Sequence, residues 1–245
     1  AVKAVQSVCD LPLQLDSTRA DVLEAGLRVY NGKPIVNSVN GEQAVLDRLL
    51  PICKKYGAAV VGLTLDENGI PDNADGRIAI ARRIYAKAAS YGIAAKDIII
   101  DGLAMTISSD NRSALATLET LRRVRDELGG HTILGVSNIS FGLPARPNIN
   151  AAFYTMAMQN GLSAAIINPN SEDMMRAYFS YCALAGLAGS LLAYHNGVVS
   201  GSMFSFNTQM QFIMMVMLGG VNSSIGTLAG TFLITALPEL LRSLA

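Results

Sequence analysis

No aspartate, glutamate, lysine or arginine occurs anywhere between Cys182 and Pro238. Soluble domains carry roughly one charged residue in four, so a stretch of this length without one belongs in a different solvent. The chain holds 19 basic and 19 acidic residues, and of these only Glu239 and Arg242 lie beyond Tyr181. The charge break falls after Tyr181, and the chain is read as two parts of different character, residues 1–187 and residues 188–245. Balanced charge gives no electrostatic case for nucleic acid. Cys9, Cys53 and Cys182 are widely scattered and show no CxxC or Cys/His spacing. That argues against a disulfide framework or a structural zinc and suits a cytoplasmic setting for the first part. The sequence opens on Ala1, with neither a leader-like segment nor an initiator Met, and reads as a fragment.

Within the first part, short apolar runs alternate with amphipathic segments. The runs are residues 12–16 (PLQLD), 34–39 (PIVNSV), 58–65 (AAVVGLTL), 97–101 (DIIID), 132–138 (TILGVSN) and 163–168 (SAAIIN). Each is rich in apolar or β-branched residues and bounded by polar or Gly/Pro positions, as buried parallel strands are. Between them, helices are predicted over 19–30 (after a Ser17/Thr18 cap), 42–56, 75–91, 111–128 and 150–160. This alternation predicts an α/β fold with a parallel sheet, built from six βα units. None opens on a Gly-rich phosphate loop; Gly129-Gly130 follows a helix and is expected to cap it.

Chemistry in a β/α barrel sits at the C-terminal ends of the strands. Four of the six predicted strands carry Asp16, Asn37, Asp101 or Asn138 at or near that end. Any one of these serves equally well as a cap for the next helix. Four on one barrel face predict a polar ring in apolar walls, suited to a flat heterocycle with alternating donors and acceptors. His131 precedes its strand and is expected at the surface. No Ser–His pair, no Cys with a base and no metal cluster is evident, so acyl transfer and metal-assisted hydrolysis are disfavoured.

The segments LDSTRADVLEAGL (15–27), KPIVNSVNGE (33–42), GLTLDENGIP (62–71), DIIIDGL (97–103), LGVSNISFGLPARP (134–147) and NAAFYTMAMQNGLSAAIINP (150–169) carry a resemblance. They resemble the pterin-binding family, and within it the methyltetrahydrofolate:corrinoid protein methyltransferases and the folate module of cobalamin-dependent methionine synthase. The likeness is collinear from residue 1 to about residue 187. It implies a (β/α)8 TIM barrel, here truncated to six units, with unpaired strand edges and weak folate binding by residues 1–187 alone. It also implies transfer of the N5-methyl group of methyltetrahydrofolate to a cobalamin held by a partner corrinoid protein, and a homodimeric barrel. By the same resemblance, Asp16, Asn37 and Asp101 would bind the pterin edges and Asn138 would sit beside N5. Arg146 would lie near the p-aminobenzoate or glutamate side, and Gly135, Ser137 and Ile166 would line the wall. Dihydropteroate synthases share the barrel but typically carry a Ser/Lys/Arg cluster and an Arg-x-His where this chain reads GVSNISFG and AAIINPNS. Folate binding without turnover is one alternative; a fragment of a membrane amino-acid transport component, for which the second part speaks, is the other. Gly102 stands where Pro is common in the methyltransferases and is expected to alter loop stiffness only.

The second part is Gly/Ala/Ser-rich, with close pairs such as Gly186/Gly189 and Gly226/Gly230 that suit helix packing in lipid. Residues 212–220 and 227–237 are each shorter than the ~20 apolar residues of a full span. Residues 202–206, 215–226 and 238–241 resemble the C-terminal end of a branched-chain amino acid ABC transporter permease. This predicts a helical tail with membrane affinity and, being only the end of a permease, no transport activity. Ala183–Leu187 fits both resemblances and marks the expected seam of a chimera.

Overall fold

A computed structural model describes residues 1–110 and 112–196 of the chain. Two compact units are present, Ala1–Met175 and Arg176–Ala245. In the first, the elements run α1 (Val2–Gln6), β1 (Gln14–Asp16), α2 (Ala20–Arg28), β2 (Ile35–Val39), α3 (Gln43–Tyr56), β3 (Ala59–Leu63), α4 (Ala74–Ser90), β4 (Ile98–Asp101), α5 (Ser113–Leu128), β5 (His131–Gly135), α6 (Arg146–Gln159) and β6 (Ala164–Ile166). A last helix, α7, covers Glu172–Asn196. The six strands form one sheet in the order β1-β2-β3-β4-β5-β6, and every neighbouring pair is parallel. Sequential order with a helix at each crossover is the parallel sheet that the alternation predicts and the truncated barrel wall that the resemblance implies, with β1 and β6 as its two ends among the described residues.

Strand side chains explain why the sheet is covered. Val36, Val60, Ile98 and Ile100 lie in one buried cluster with Leu46, Leu49, Leu50 and Cys53 of α3 and Ile80, Ala81, Ile84 and Ala88 of α4. These helix residues recur at three- and four-residue spacing, so each helix lays a single apolar stripe on the sheet. The desolvated thiol of Cys53 is pushed up to about 12, which marks it as core and not as a nucleophile.

Three boundaries differ from expectation, each for a local reason. The strand predicted over 132–138 stops at Gly135, and Val136–Ser140 forms a 3-10 turn. The Ser140 hydroxyl donates to the Ser137 carbonyl at 3.2 Å, one of the local bonds by which Ser and Asn compete with a sheet ladder. The helix predicted from 150 starts at Arg146, where a proline in the first turn suits a helix entry. The Ser17/Thr18 cap is not formed: Arg19 is the capping position of α2 with no side-chain cap, and the Ser17 hydroxyl oxygen accepts from the Arg19 amide at 3.1 Å instead. Gly129 does cap α5, at φ 58° in the left-handed region.

Among the described residues, no helix is long and apolar enough to cross a membrane. The permease-like segments at 202–206, 215–226 and 238–241, the apolar runs at 212–220 and 227–237 and the Gly226/Gly230 pair lie outside the described residues.

The entry to α4 is tightly packed. Asn73 caps it, its side-chain oxygen accepting from the Gly76 amide at 2.9 Å. A Cβ on Gly76 would stand 2.6 Å from Cβ and 3.1 Å from Cγ of Pro71, a rigid ring. Gly76→Ala is therefore expected to destabilise by about 1–3 kcal/mol through overpacking, against a helix-propensity gain of about 1 kcal/mol. Urea unfolding measures it; an unchanged or raised midpoint would mean that the turn before α4 yields without strain.

Candidate functional site

Because all six strands run the same way, their C-terminal ends share one face. Asp16, Asp101, Gly135 and Ile166 are the last residues of β1, β4, β5 and β6, and Asn37 is the third residue of β2. Asp16 and Asn37 are register partners, and the Asn37 carboxamide donates to an Asp16 carboxylate oxygen at 3.3 Å. Beyond Asn37 the β2–β3 register slips, Asn37 facing Val61 and Val39 facing Gly62. Ser38 is the extra residue, a bulge of the kind found beside functional sites.

Asp101 is fixed by its surroundings. Its backbone carbonyl accepts from the Thr64 amide at 3.2 Å and from the Thr64 hydroxyl at 2.9 Å. Its carboxylate accepts from the Leu103 amide at 2.8 Å, a turn that carries the chain off the strand. Leu103 itself has φ 57°, a conformation that a branched side chain adopts only where its surroundings enforce it. Burial pushes the Asp101 carboxyl up to about 6, while the Leu103 amide and the Arg77 guanidinium pull it partway back.

Asn138 lies in the 3-10 turn after β5, exposed. A Cβ on Gly135 would come within 3.0 Å of its side-chain nitrogen, so the glycine leaves room for the carboxamide. Arg146 fastens the same turn from the start of α6. Its Nη2 donates to the Ser137 carbonyl at 3.2 Å, its Nε donates to the Ser140 hydroxyl oxygen at 3.0 Å, and its guanidinium stacks 4.6 Å from the Phe141 ring centre. The loop after β4 is clasped to this turn. The Thr106 hydroxyl at 2.7 Å and the Ser108 hydroxyl at 3.1 Å both donate to the Phe141 carbonyl, and the Ile107 amide donates to the Ile139 carbonyl at 3.1 Å.

The structure thus joins Asp16 to Asn37 directly and gathers Gly135 and Arg146 around the turn that carries Ser137 and Asn138. Asp101 and Ile166 stand at their own strand ends, Ile166 facing Gly135 in register and 44% exposed. His131 is exposed as expected, but it is the first residue of β5 instead of preceding the strand. Sequence reasoning missed Thr64, Arg77, Thr106, Ser108 and Ser140. Arg77 left a signal, since the apolar stripe Ala74–Ile78–Ala81–Ile84–Ala88 of α4 runs beside it. A groove of about 630 Å³ lies beside the start of α4, lined by Asp66, Asn68, Ile70, Pro71 and Arg83 among others. It includes none of the strand-end residues.

The sequence pattern of the pterin binding enzymes matches residues 1–168. This chain belongs to the pterin binding enzyme family. A methylcorrinoid:tetrahydrofolate methyltransferase of Eubacterium limosum is 34% identical over 187 residues, 74% of this chain and 68% of that protein. A methionine synthase of Mycobacterium tuberculosis is 35% identical over 171 residues, 64% of this chain but only 14% of that much longer protein. Among solved structures, the pterin binding fold superposes on a dihydropteroate synthase of Yersinia pestis with TM-score 0.61 and 15% identity, covering 76% of each chain. The dihydropteroate synthase of Vibrio fischeri gives 0.59 at 16% identity, covering 75% of this chain and 72% of that one. Identities this low establish a shared fold alone. Residues 173–245 match a different pattern, the permease component of branched-chain amino acid transport systems.

Proposed function

We propose that this pterin binding enzyme holds a reduced folate at the C-terminal ends of its strands and assists methyl transfer at N5 of the pterin. The observation that carries the reading is the placement of Asp16, Asn37, Asp101 and Asn138 on one face, in a chain 34% identical to a methyltransferase named for methylcorrinoid and tetrahydrofolate. Carboxylates accept from the N–H groups of the pterin edge, while the Asn37 carboxamide both donates and accepts. Gly135, Ser137 and Ile166 supply wall, and Arg146 lies toward the p-aminobenzoate or glutamate side. A corrinoid on a partner protein supplies the cobalt that exchanges the methyl group with the folate.

The chain's own contribution concerns the nitrogen. N5 leaves a methyl group readily only if it gains a proton or a strong hydrogen bond as the C–N bond breaks. In the opposite direction, N5 attacks the methyl carbon and sheds its proton afterwards. Asn138 can donate to or accept from N5 without titrating, so it follows the change in charge in either direction. The relative's name places the methyl group on the corrinoid at the start; the same residues serve the reverse reaction, from methyltetrahydrofolate to cobalt.

A single-turnover reaction of the full chain with methyltetrahydrofolate and Co(I) cobalamin tests the proposal. Chain-dependent loss of the Co(I) absorbance with formation of tetrahydrofolate is expected. Absence of folate binding by calorimetry would overturn the proposal. Binding without turnover would favour a folate-holding module, a reading supported by a sheet that runs from β1 to β6 among the described residues, six strands and not eight.

A further inference from the structure

Arg77 heads the large side chains that the fold buries fully, at 1% exposure. Burying a guanidinium is costly unless it is well compensated, yet its hydrogen bonds all go to neutral oxygens. Nε donates to the Pro71 carbonyl at 2.9 Å. Nη1 donates to the carbonyls of Gly102 at 2.7 Å and Leu103 at 3.1 Å, and to the Thr117 hydroxyl oxygen at 3.0 Å. Gly102 and Leu103 are the two residues immediately after Asp101, and the Leu103 amide is the group that holds the Asp101 carboxylate. One side chain from α4 therefore grips the turn that aims a strand-end carboxylate. Hydrocarbon packing would fill the same space without leaving a charge in the interior.

We propose that Arg77 is a positioning residue for folate binding, fixing the turn after Asp101 and supplying the positive charge behind that carboxylate. The inference rests on the folate reading of the strand ends. The register neighbours of Asp101 are uncharged. β3 and β5 oppose it with Leu63 and Ile133, and α5 brings the uncharged Thr117 and Thr120 to Gly102. Among the described residues Arg77 is the charged side chain that acts on Asp101, and Asp72 acts in turn on Arg77. Lysine keeps the charge but lacks the planar fork that reaches Pro71 on one side and Gly102 and Leu103 on the other.

The test uses the full chain and two variants, Arg77→Met and Arg77→Lys. The carbon-13 shift of the Asp101 carboxyl is followed against pH without ligand, and tetrahydrofolate binding is measured by calorimetry. Arg77→Met is expected to move the Asp101 inflection upward by about one pH unit or more and to weaken tetrahydrofolate about tenfold or more near neutrality. Arg77→Lys is expected to bring the inflection back toward the parent value while leaving the affinity reduced. A folded Arg77→Met chain that titrates and binds like the parent overturns the proposal, because a plain packing role would lower only the melting temperature. Should Arg77→Met fail to fold, Arg77→Lys decides, and parental folate affinity in that variant overturns it. If the parent chain binds no tetrahydrofolate, the reading of the site fails separately, and the carboxyl titration alone decides whether Arg77 governs Asp101.

Discussion

Asn138→Ala is expected to slow methyl transfer by about 10²–10³-fold while leaving folding and folate affinity close to the parent's. On the proposed role, the variant removes the single polar group that meets charge developing only as the C–N bond forms or breaks. Little structural loss should accompany it. The side chain is exposed, and the hydrogen bond that Asn138 makes within its turn, from the Phe141 amide at 3.4 Å, goes to its backbone carbonyl. A stability change within about 0.5 kcal/mol is expected for such a site. Stopped-flow single turnovers on the parent and the variant, each saturated with methyltetrahydrofolate, give the comparison. An unchanged rate constant would remove Asn138 from the mechanism. Gly135→Ala offers an independent check, since its new methyl would press on the Asn138 amide nitrogen at 3.0 Å. It should slow the same step, and combining it with Asn138→Ala should add little, because both act through one carboxamide.

Asp101→Asn should weaken folate about 10–100-fold, the loss of a charge-assisted hydrogen bond, and should make the protein more stable at neutral pH. The second effect follows from the raised carboxyl. With a folded value of about 6 against an ordinary 3.8, the native state holds this proton more tightly than the unfolded chain does. The stability so conferred is fully present below about 4 and is lost as pH rises through about 6. Asparagine stays neutral throughout and keeps the oxygen that accepts from the Leu103 amide. A gain of about 1–2 kcal/mol near pH 8 is expected, shrinking to almost nothing near pH 4. Melting curves at the two pH values read the difference, and folate binding by the parent should itself fall as pH drops through about 6. Equal melting temperatures for the two proteins near pH 8 would show that Asp101 ionises without penalty.

The strands were legible because their signal is local. Val36, Val60, Ile98 and Ile100 are apolar or β-branched runs between polar boundaries, and all are buried in the sheet. The strand-end positions of Asp16, Asn37 and Asp101 followed from the same runs. Asn138 lies one element later than expected, in the turn instead of on the strand, because the apolar residues on both sides of Gly135 make TILGVSN read as one run through the glycine at which the strand stops. The close approach of the Asn138 amide to Gly135, 3.0 Å from where a Cβ would stand, depends on that turn and leaves no mark in the sequence pattern. Arg77 is easily passed over despite the apolar stripe beside it, because an arginine at the margin of such a helix face reads as a solvated charge until the carbonyls that receive it are known. The bonds from Thr106 and Ser108 to Phe141 cross 35 and 33 residues of chain, and contacts between two irregular loops leave no periodicity to read.

Phe141 holds the two loops together with its carbonyl and meets Arg146 with its ring. The first contact is blind to the side chain at position 141, and the second depends on it. An engineer could therefore exchange the ring to reshape the surface beside Arg146, leaving the knot between the loops intact. Transplanting either loop alone from a relative is the poorer strategy: without Thr106 and Ser108 opposite it the Phe141 carbonyl would lose both hydroxyl donors, so residues 102–112 and 136–146 should travel as one cassette.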